Sequence, residues 1–255
     1  MASADFSPSQ RQSFVLGLEV PDVPKALASS QFRGASLRDG SENQAFVTAG
    51  SLVSFVSGIS SQSQIDVLNS TLLAQIAADK KFEREEQTAE WLDFYRNVLE
   101  QVGWVTQEWS WNPFNASGNE TDVDKAVLTI LAAIATQNEL LIIKAAIDAA
   151  KALPDGDGRI TLFDHYSASK TAGCFQIGIA SEDGGAVALK MGSFRIFSSN
   201  NVTKILWFKF STQNTQITQG TMAATLNAGI YGQLRTTVEQ KLGDRAKLLL
   251  AGIDV

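Results

Sequence analysis

The chain has 255 residues, with 21 Lys and Arg against 27 Asp and Glu, a formal net charge of −6, one Cys and one His. One Cys excludes an internal disulfide, and one His with one Cys excludes a zinc finger or any site needing several N or S ligands from the chain. The acidic balance argues against nucleic acid as a partner, since such binding needs a basic stripe, while 44% hydrophobic and 19% charged residues are enough for a sizeable globular core.

The opening MASADFSPSQRQSF lacks a basic stretch followed by an apolar one, and no run of 18 apolar residues occurs. The expectation is a chain made in the reducing cytoplasm, with any release using a signal-peptide-independent route. The Asn-x-Ser/Thr triplets at Asn69, Asn115, Asn119 and Asn201 then read as chance matches.

Residues 1–42 are expected to be an irregular arm. Pro8, Pro21, Pro24, Gly34 and Gly40 interrupt it, and Phe14-Val15-Leu16 with Leu18 pack on the body as a short strand or extended piece. From Glu42 to Ile59, the apolar residues Phe46, Ala49, Leu52, Val53, Val56 and Ile59 fall at helical spacing. A clearer helix follows, with Ser61 and Gln64 as a capping box, a stripe of Ile65, Leu68, Leu72, Leu73 and Ile76, and Lys80 and Lys81 in its last turn. Another runs from Arg84 to Val102, with Trp91, Phe94, Tyr95, Val98 and Leu99 inward and Gly103 at its end. Trp104–Trp111 alternates as a strand closed by Pro113, and 115–120 is a polar loop.

Thr121 and Asp124 cap a predicted single long helix reaching Leu153. It is apolar on nearly every side except at Thr136–Glu139, with Lys144 and Asp148 paired on its wet edge. After the stop Pro154-Asp-Gly-Asp-Gly158 the period changes to 2. Strands are expected at 159–166, 173–180, 186–197, 202–210 and 215–226, with 202–210 central and Gly192 marking a bulge. Turns fall at 182–185, 198–201 and 211–214. Asn227 caps a closing helix ended by Gly243, and Asp244 starts a last short one.

The order predicts an α+β fold: a helical part with one long buried central helix, packed on an antiparallel meander closed by a helix. The parts are an arm at 1–42, a helical lobe at 43–153 and a β-rich part at 154–255, together forming one compact domain.

Cys174 and His165, with Asp164 beside the histidine, are the one plausible chemical pair, because a thiol nucleophile needs a base nearby. Phe175, Ile177 and Ile179 define one face of their strand, so Cys174 lies on the other with Gln176 and Gly178. This pair would serve acyl transfer, or Cys174 would carry an acyl group. In that respect the layout resembles acylated bacterial virulence proteins of similar size, although it shares no motif with them and no residue role carries over.

Asp155-Gly-Asp-Gly-Arg-Ile160 has the middle of an EF-hand loop. Its register puts Leu153 at the first ligand position and Asp164 at the twelfth, so it reads as a polar turn, and no metal or cofactor is expected. The apolar stretch 122–153 is ordinarily a core helix. Read as a hairpin, it gives two greasy arms, Val127–Ala135 and Leu140–Ile147, of the kind that helical pore-forming proteins release at a bilayer. On that reading Trp109, Trp111, Leu131, Ile134, Leu140 and Ile143 meet lipid. The Ser/Thr/Gln-rich run 211–221 reads as a solvated sheet edge. No Gly-Lys-Ser/Thr, Gly-x-Gly-x-x-Gly or Gly-x-Ser-x-Gly motif occurs.

The leading expectation is a non-enzymatic, toxin-like effector directed at a lipid membrane or host receptor through 122–153. A Cys174–His165 acyl-transfer enzyme or acylated lipid-binding protein, and a plain interaction module, are the alternatives.

Overall fold

A computed structural model describes residues 6–28, 42–114, 120–199, 204–207, 209–211 and 215–255, together with Val202. The expected loop 115–120, the turns at 198–201 and 211–214, and much of the arm and of 202–210 lie wholly or partly outside the described residues.

The chain is α+β. In order it forms α1 (Pro8–Gly17), α2 (Lys25–Ala28), β1 (Gln44–Thr48), β2 (Ser51–Phe55), α3 (Ser61–Lys81), α4 (Thr88–Gln101), β3 (Trp104–Trp109), β4 (Asn112–Phe114), β5 (Glu120–Asp122), α5 (Val123–Leu131), α6 (Gln137–Lys151), α7 (Gly158–Ser167), β6 (Ala172–Asp183) and β7 (Ala186–Ser198). A 3-10 turn (Ile205–Trp207), β8 (Lys209–Ser211), β9 (Thr215–Leu226), α8 (Ala228–Leu242), α9 (Arg245–Leu249) and β10 (Leu250–Ile253) complete it. The main sheet runs β10-β1-β2-β6-β7-β9-β3, with β4 also on β9. β6, β7 and β9 form the expected antiparallel meander. β2 joins it in parallel, so the sheet is mixed and draws strands from both halves of the chain.

Helices cover both faces. Phe175 and Phe194 stack at 5.0 Å between centroids, and Phe163 of α7 meets Phe175 edge-on at 6.2 Å. Side chains alternate along a strand, so Phe175, Ile177 and Ile179 face α5, α6 and α7. Cys174 and Gln176 face α3 and α4, where Gln176 is held by Ser51 at 3.1 Å and Ser193 at 3.0 Å. On that side Asp66 of α3 forks Arg235 of α8 at 2.7 and 2.8 Å.

Several expected elements are corrected. Phe14-Val15-Leu16 is not extended: α1 is a helix with Pro8 in its first turn and a Ser7–Gln10 capping box, where proline favours a helix start, and the chain becomes extended only at Leu18. Residues 42–59 are not a helix but the hairpin β1–β2. Every strand residue in it is buried, which hides the period-2 signal. The capping serine of α3 is Ser60. Residues 159–166 are not a strand but α7, nucleated when the Asp157 carboxylate accepts from Arg159 N at 2.9 Å. The single helix 122–153 is two helices, α5 and α6. Ile205–Trp207 and Lys209–Ser211 are not central in the main sheet: the first is the 3-10 turn and the second is β8, which pairs with β5 in a separate two-stranded sheet. Gly192 sits in unbroken register with Ile177, and the irregularity lies instead in β3 between Thr106 and Glu108. A Cβ on Gly192 would strike the Phe194 ring and approach Leu131 of α5. The expected Lys144–Asp148 pair forms.

The two helical layers meet round one end of the sheet at Arg84, whose side chain is 9% exposed. Its guanidinium forks the Asp79 carboxylate at 3.0 and 3.1 Å and donates to the carbonyls of Tyr166 (2.9 Å) and Cys174 (3.3 Å). It also lies 4.2 Å from the Trp91 ring. Removing one partner of a buried pair strands the other charge. Arg84→Met is therefore expected to lower the unfolding free energy by about 3–5 kcal/mol in urea titration, and Arg84→Met with Asp79→Leu to cost less than the single change.

Candidate functional site

Cys174 and His165 are not brought together. Cys174 is 3% exposed and faces α4, where its thiol donates to the Arg84 carbonyl at 3.7 Å. His165 is exposed on α7, packed edge-on against Tyr166 at 5.1 Å, and α7 covers the opposite face of the sheet. Burial pushes the Cys174 thiol up to about 11, against the opposing pull of Arg84, so it stays neutral near pH 7. Only about 10 Å³ of space lies beside the sulfur, lined by Arg84, Thr88, Trp91, Trp111, Gln176 and Ser193. That is below the ~300–1,000 Å³ of ordinary ligand pockets.

Asp164 does not orient the histidine. Its carboxylate accepts from Ile205 N at 3.4 Å, at the start of the 3-10 turn. Burial raises its pKa to about 6, with the Ile205 bond and Lys204 opposing. The acidic turn is likewise engaged: Asp155 pairs with Lys204 at 2.6 Å and Asp157 with Arg159 at 2.9 Å. Among the described residues no group of three or more His, Cys, Asp or Glu is placed to hold a metal ion.

The apolar segment, by contrast, has a defined construction. α5 runs out to Leu131, the chain turns through Ala132–Ala135, and α6 returns antiparallel. At the closed end Thr136 Oγ1 accepts from Glu139 N, and Glu139 accepts from Thr136 N at 2.7 Å, a full capping box. At the open end Lys151 of α6 pairs with Asp124 of α5 at 2.8 Å. One further bond pins the closed end to the sheet, from Lys190 of β7 to Glu139 at 2.7 Å. Sequence reasoning missed Glu139, Lys190, Asp124 and Lys151 as the fixing residues. The Thr-x-x-Glu signature was the one readable sign of the second helix.

Leu131 and Ile143 are buried, Ile134 and Leu140 partly so. Facing outward are Ala132, Ala133 and Leu141, the last 61% exposed. Trp111 is partly buried beside the cavity at Cys174, and the Trp109 side chain lies outside what is described. Among the described residues no helix is long and apolar enough to cross a membrane.

No protein-family model matches the chain, and no curated protein matches it in sequence. Solved structures resemble it in part. Activated Cyt2Ba from Bacillus thuringiensis subsp. israelensis is 9% identical, over 51% of this chain and 78% of that one, with a TM-score of 0.32. A delta-endotoxin is 12% identical, over 84% and 96%, with a TM-score of 0.40. The Evf virulence factor is 12% identical, over 79% and 84%, with a TM-score of 0.35. At these values the resemblances do not bear on what the chain does.

Two measurements check these placements. Cys174 is expected to resist a disulfide-exchange reagent at pH 8 in the native protein and to react once in denaturant. A raised carboxyl pKa means that the folded state binds the proton more tightly, so the stability this group contributes is full below pH ~4 and falls as pH rises through about 6. Asp164→Asn keeps the cap and removes the titration. Between pH ~4 and ~7 the wild type should lose about 1 kcal/mol more than the variant, the shift being discounted for partial exposure.

Proposed function

We propose that the chain is a non-enzymatic, toxin-like effector that engages a lipid bilayer through the α5–α6 hairpin. The observation that carries this reading is the hairpin's construction. Two apolar arms are tied to each other by Asp124–Lys151 and to the sheet by Glu139–Lys190, and Ala132 and Ala133 of the bend and Leu141 of α6 are exposed. Helices of 9 and 15 residues fall short of the ~20 needed to cross a bilayer. The contact is therefore an interfacial one, with the apolar side of the hairpin in the headgroup region. A chain of net charge −6 gains no general attraction to anionic lipid, so apolar burial drives the contact.

Acid alone is a weak trigger at Glu139. Burial opposes its charge, but bonds from Lys190 and Thr136 outweigh burial and hold the carboxyl below its ordinary range. Its contribution is present above the unfolded pKa of ~4.3 and is lost only as pH falls through the lower folded value. Mild acidity therefore leaves the Glu139–Lys190 fastening closed.

Flotation with phosphatidylcholine/phosphatidylglycerol vesicles tests the reading. The wild type is expected to float with the lipid. Leu141→Glu, at an exposed site, should cut binding about tenfold or more without changing thermal stability, because burying one leucine is worth ~1.5–3 kcal/mol. Glu139→Gln should increase binding. Absence of flotation at every lipid composition, or a Leu141→Glu protein that floats like the wild type, would sink the proposal.

A further inference from the structure

On the other face of the sheet, α1 packs on α8 and on α4, and a groove of about 470 Å³ lies between it, α3 and α4. We propose that this groove binds a single-chain anionic amphiphile, a fatty-acid carboxylate. The acyl chain would lie along Phe14, Leu18, Ala77 and Phe94, with the carboxylate at Lys80 and Lys81. The inference does not depend on the hairpin reading.

The groove has the size of a small-molecule site, and its wall is apolar with a few polar groups at one edge, the pattern of such sites. Phe14 and Leu18 come from α1 and the turn after it, Ala77 from α3 and Phe94 from α4. Lys80 and Lys81 come from the last turn of α3. The Lys81 ammonium sits 4.2 Å from the Phe94 ring centroid and 5.6 Å from that of Phe82, which holds the charge over the aromatic wall. Glu19 also lines the groove. Two ammonium groups against one carboxylate leave the rim positive in a chain that is acidic overall. That local reversal of sign selects an anionic head, and the apolar wall selects a hydrocarbon tail.

The walls are fixed without a ligand. Arg11 of α1 donates to the carbonyls of Glu100 (2.8 Å) and Gln101 (2.9 Å) at the end of α4. Lys241 of α8 donates to the Leu16 carbonyl at 2.8 Å. α1 is therefore clamped from two sides, and the groove does not close by the helix settling onto α3. Gly17 lines the groove, and a Cβ there would meet nothing within 4 Å, so a larger side chain fits at this position and narrows the groove.

The test uses the full chain with dodecanoate as the probe, followed by displacement of a fluorescent polyene fatty acid and by titration calorimetry, with dodecanol and dodecyltrimethylammonium in parallel. Dodecanoate is expected to bind saturably, one per chain, more tightly than dodecanol and far more tightly than the cationic amphiphile. Lys80→Gln with Lys81→Gln should weaken dodecanoate about three- to tenfold and flatten its salt dependence, as expected for exposed ammonium partners. Gly17→Leu should abolish binding while leaving circular dichroism and the thermal midpoint unchanged, since leucine is the better helix former. The inference is overturned if the wild type shows no saturable dodecanoate binding. It is equally overturned if folded Gly17→Leu binds like the wild type, or if the cationic amphiphile binds as tightly as dodecanoate.

Discussion

A single guanidinium joins parts of this protein that the sheet would otherwise keep apart. Arg84 follows α3, stacks on Trp91 of α4, forks Asp79, and reaches past the sheet end to the last turn of α7 and the backbone of β6. A buried cation is tolerable only when its donors are used and its charge is met, and every one of these contacts serves that need. Gly50 belongs to the same arrangement, because a side chain there would occupy the place of the guanidinium. Asp79 shows the strain of the position: burial raises its carboxyl despite Arg84 and the Trp91 indole N–H, which donates at 2.8 Å.

The same node decides the fate of the lone cysteine. The Cys174 carbonyl accepts from Arg84, and its thiol donates to the Arg84 carbonyl. The cation that elsewhere lowers a thiol's pKa is here held mainly by Asp79, and burial prevails. His165 and Cys174 are nine positions apart in sequence, but α7 and β6 lie on different layers, and parity turns Cys174 away from α7.

Much of the architecture was legible, and the misses share a cause. α4 carries a long one-sided stripe, α3 a stripe in a helix that is buried all round from Asp66 to Ala78, β6, β7 and β9 alternate or run apolar at full length, and Gly184-Gly185 supplies the positive φ values the hairpin needs. Several of the misread segments are short, so period cannot separate helix from strand. β1 and β2 are five residues each with no exposed position. α7 was taken for a strand because the period was read as 2 from Gly158 onward, while the Asp157 cap that starts a helix was read only as turn chemistry. α5 and α6 part without glycine or proline at the bend, so only Thr136 and Glu139 announced a new start. The groove beside α1 was illegible because it needs residues 14–17 to be helical and docked on α8 and α4, a tertiary relation that no local pattern encodes.

The hairpin's energetics follow from what lies beneath it. Moving an apolar helix from a protein surface into lipid exchanges one dry environment for another, so the hydrophobic gain on that side is nearly neutral. The uncovered sheet is where the cost arises. Leu131 covers Gly192, and the stacked pair Phe175–Phe194 lies in the same layer. Exposing that surface costs ~25 cal/mol for each Å² of apolar area. Full departure of both helices is therefore disfavoured unless a second surface covers the sheet. On the proposed bilayer reading, a contact through the exposed Ala132, Ala133 and Leu141, with Leu131 staying seated, would gain apolar burial without this exposure. Glu139 lies next to the bend, so on the same proposed reading its bond to Lys190 would limit how far the tip lifts before the sheet is uncovered.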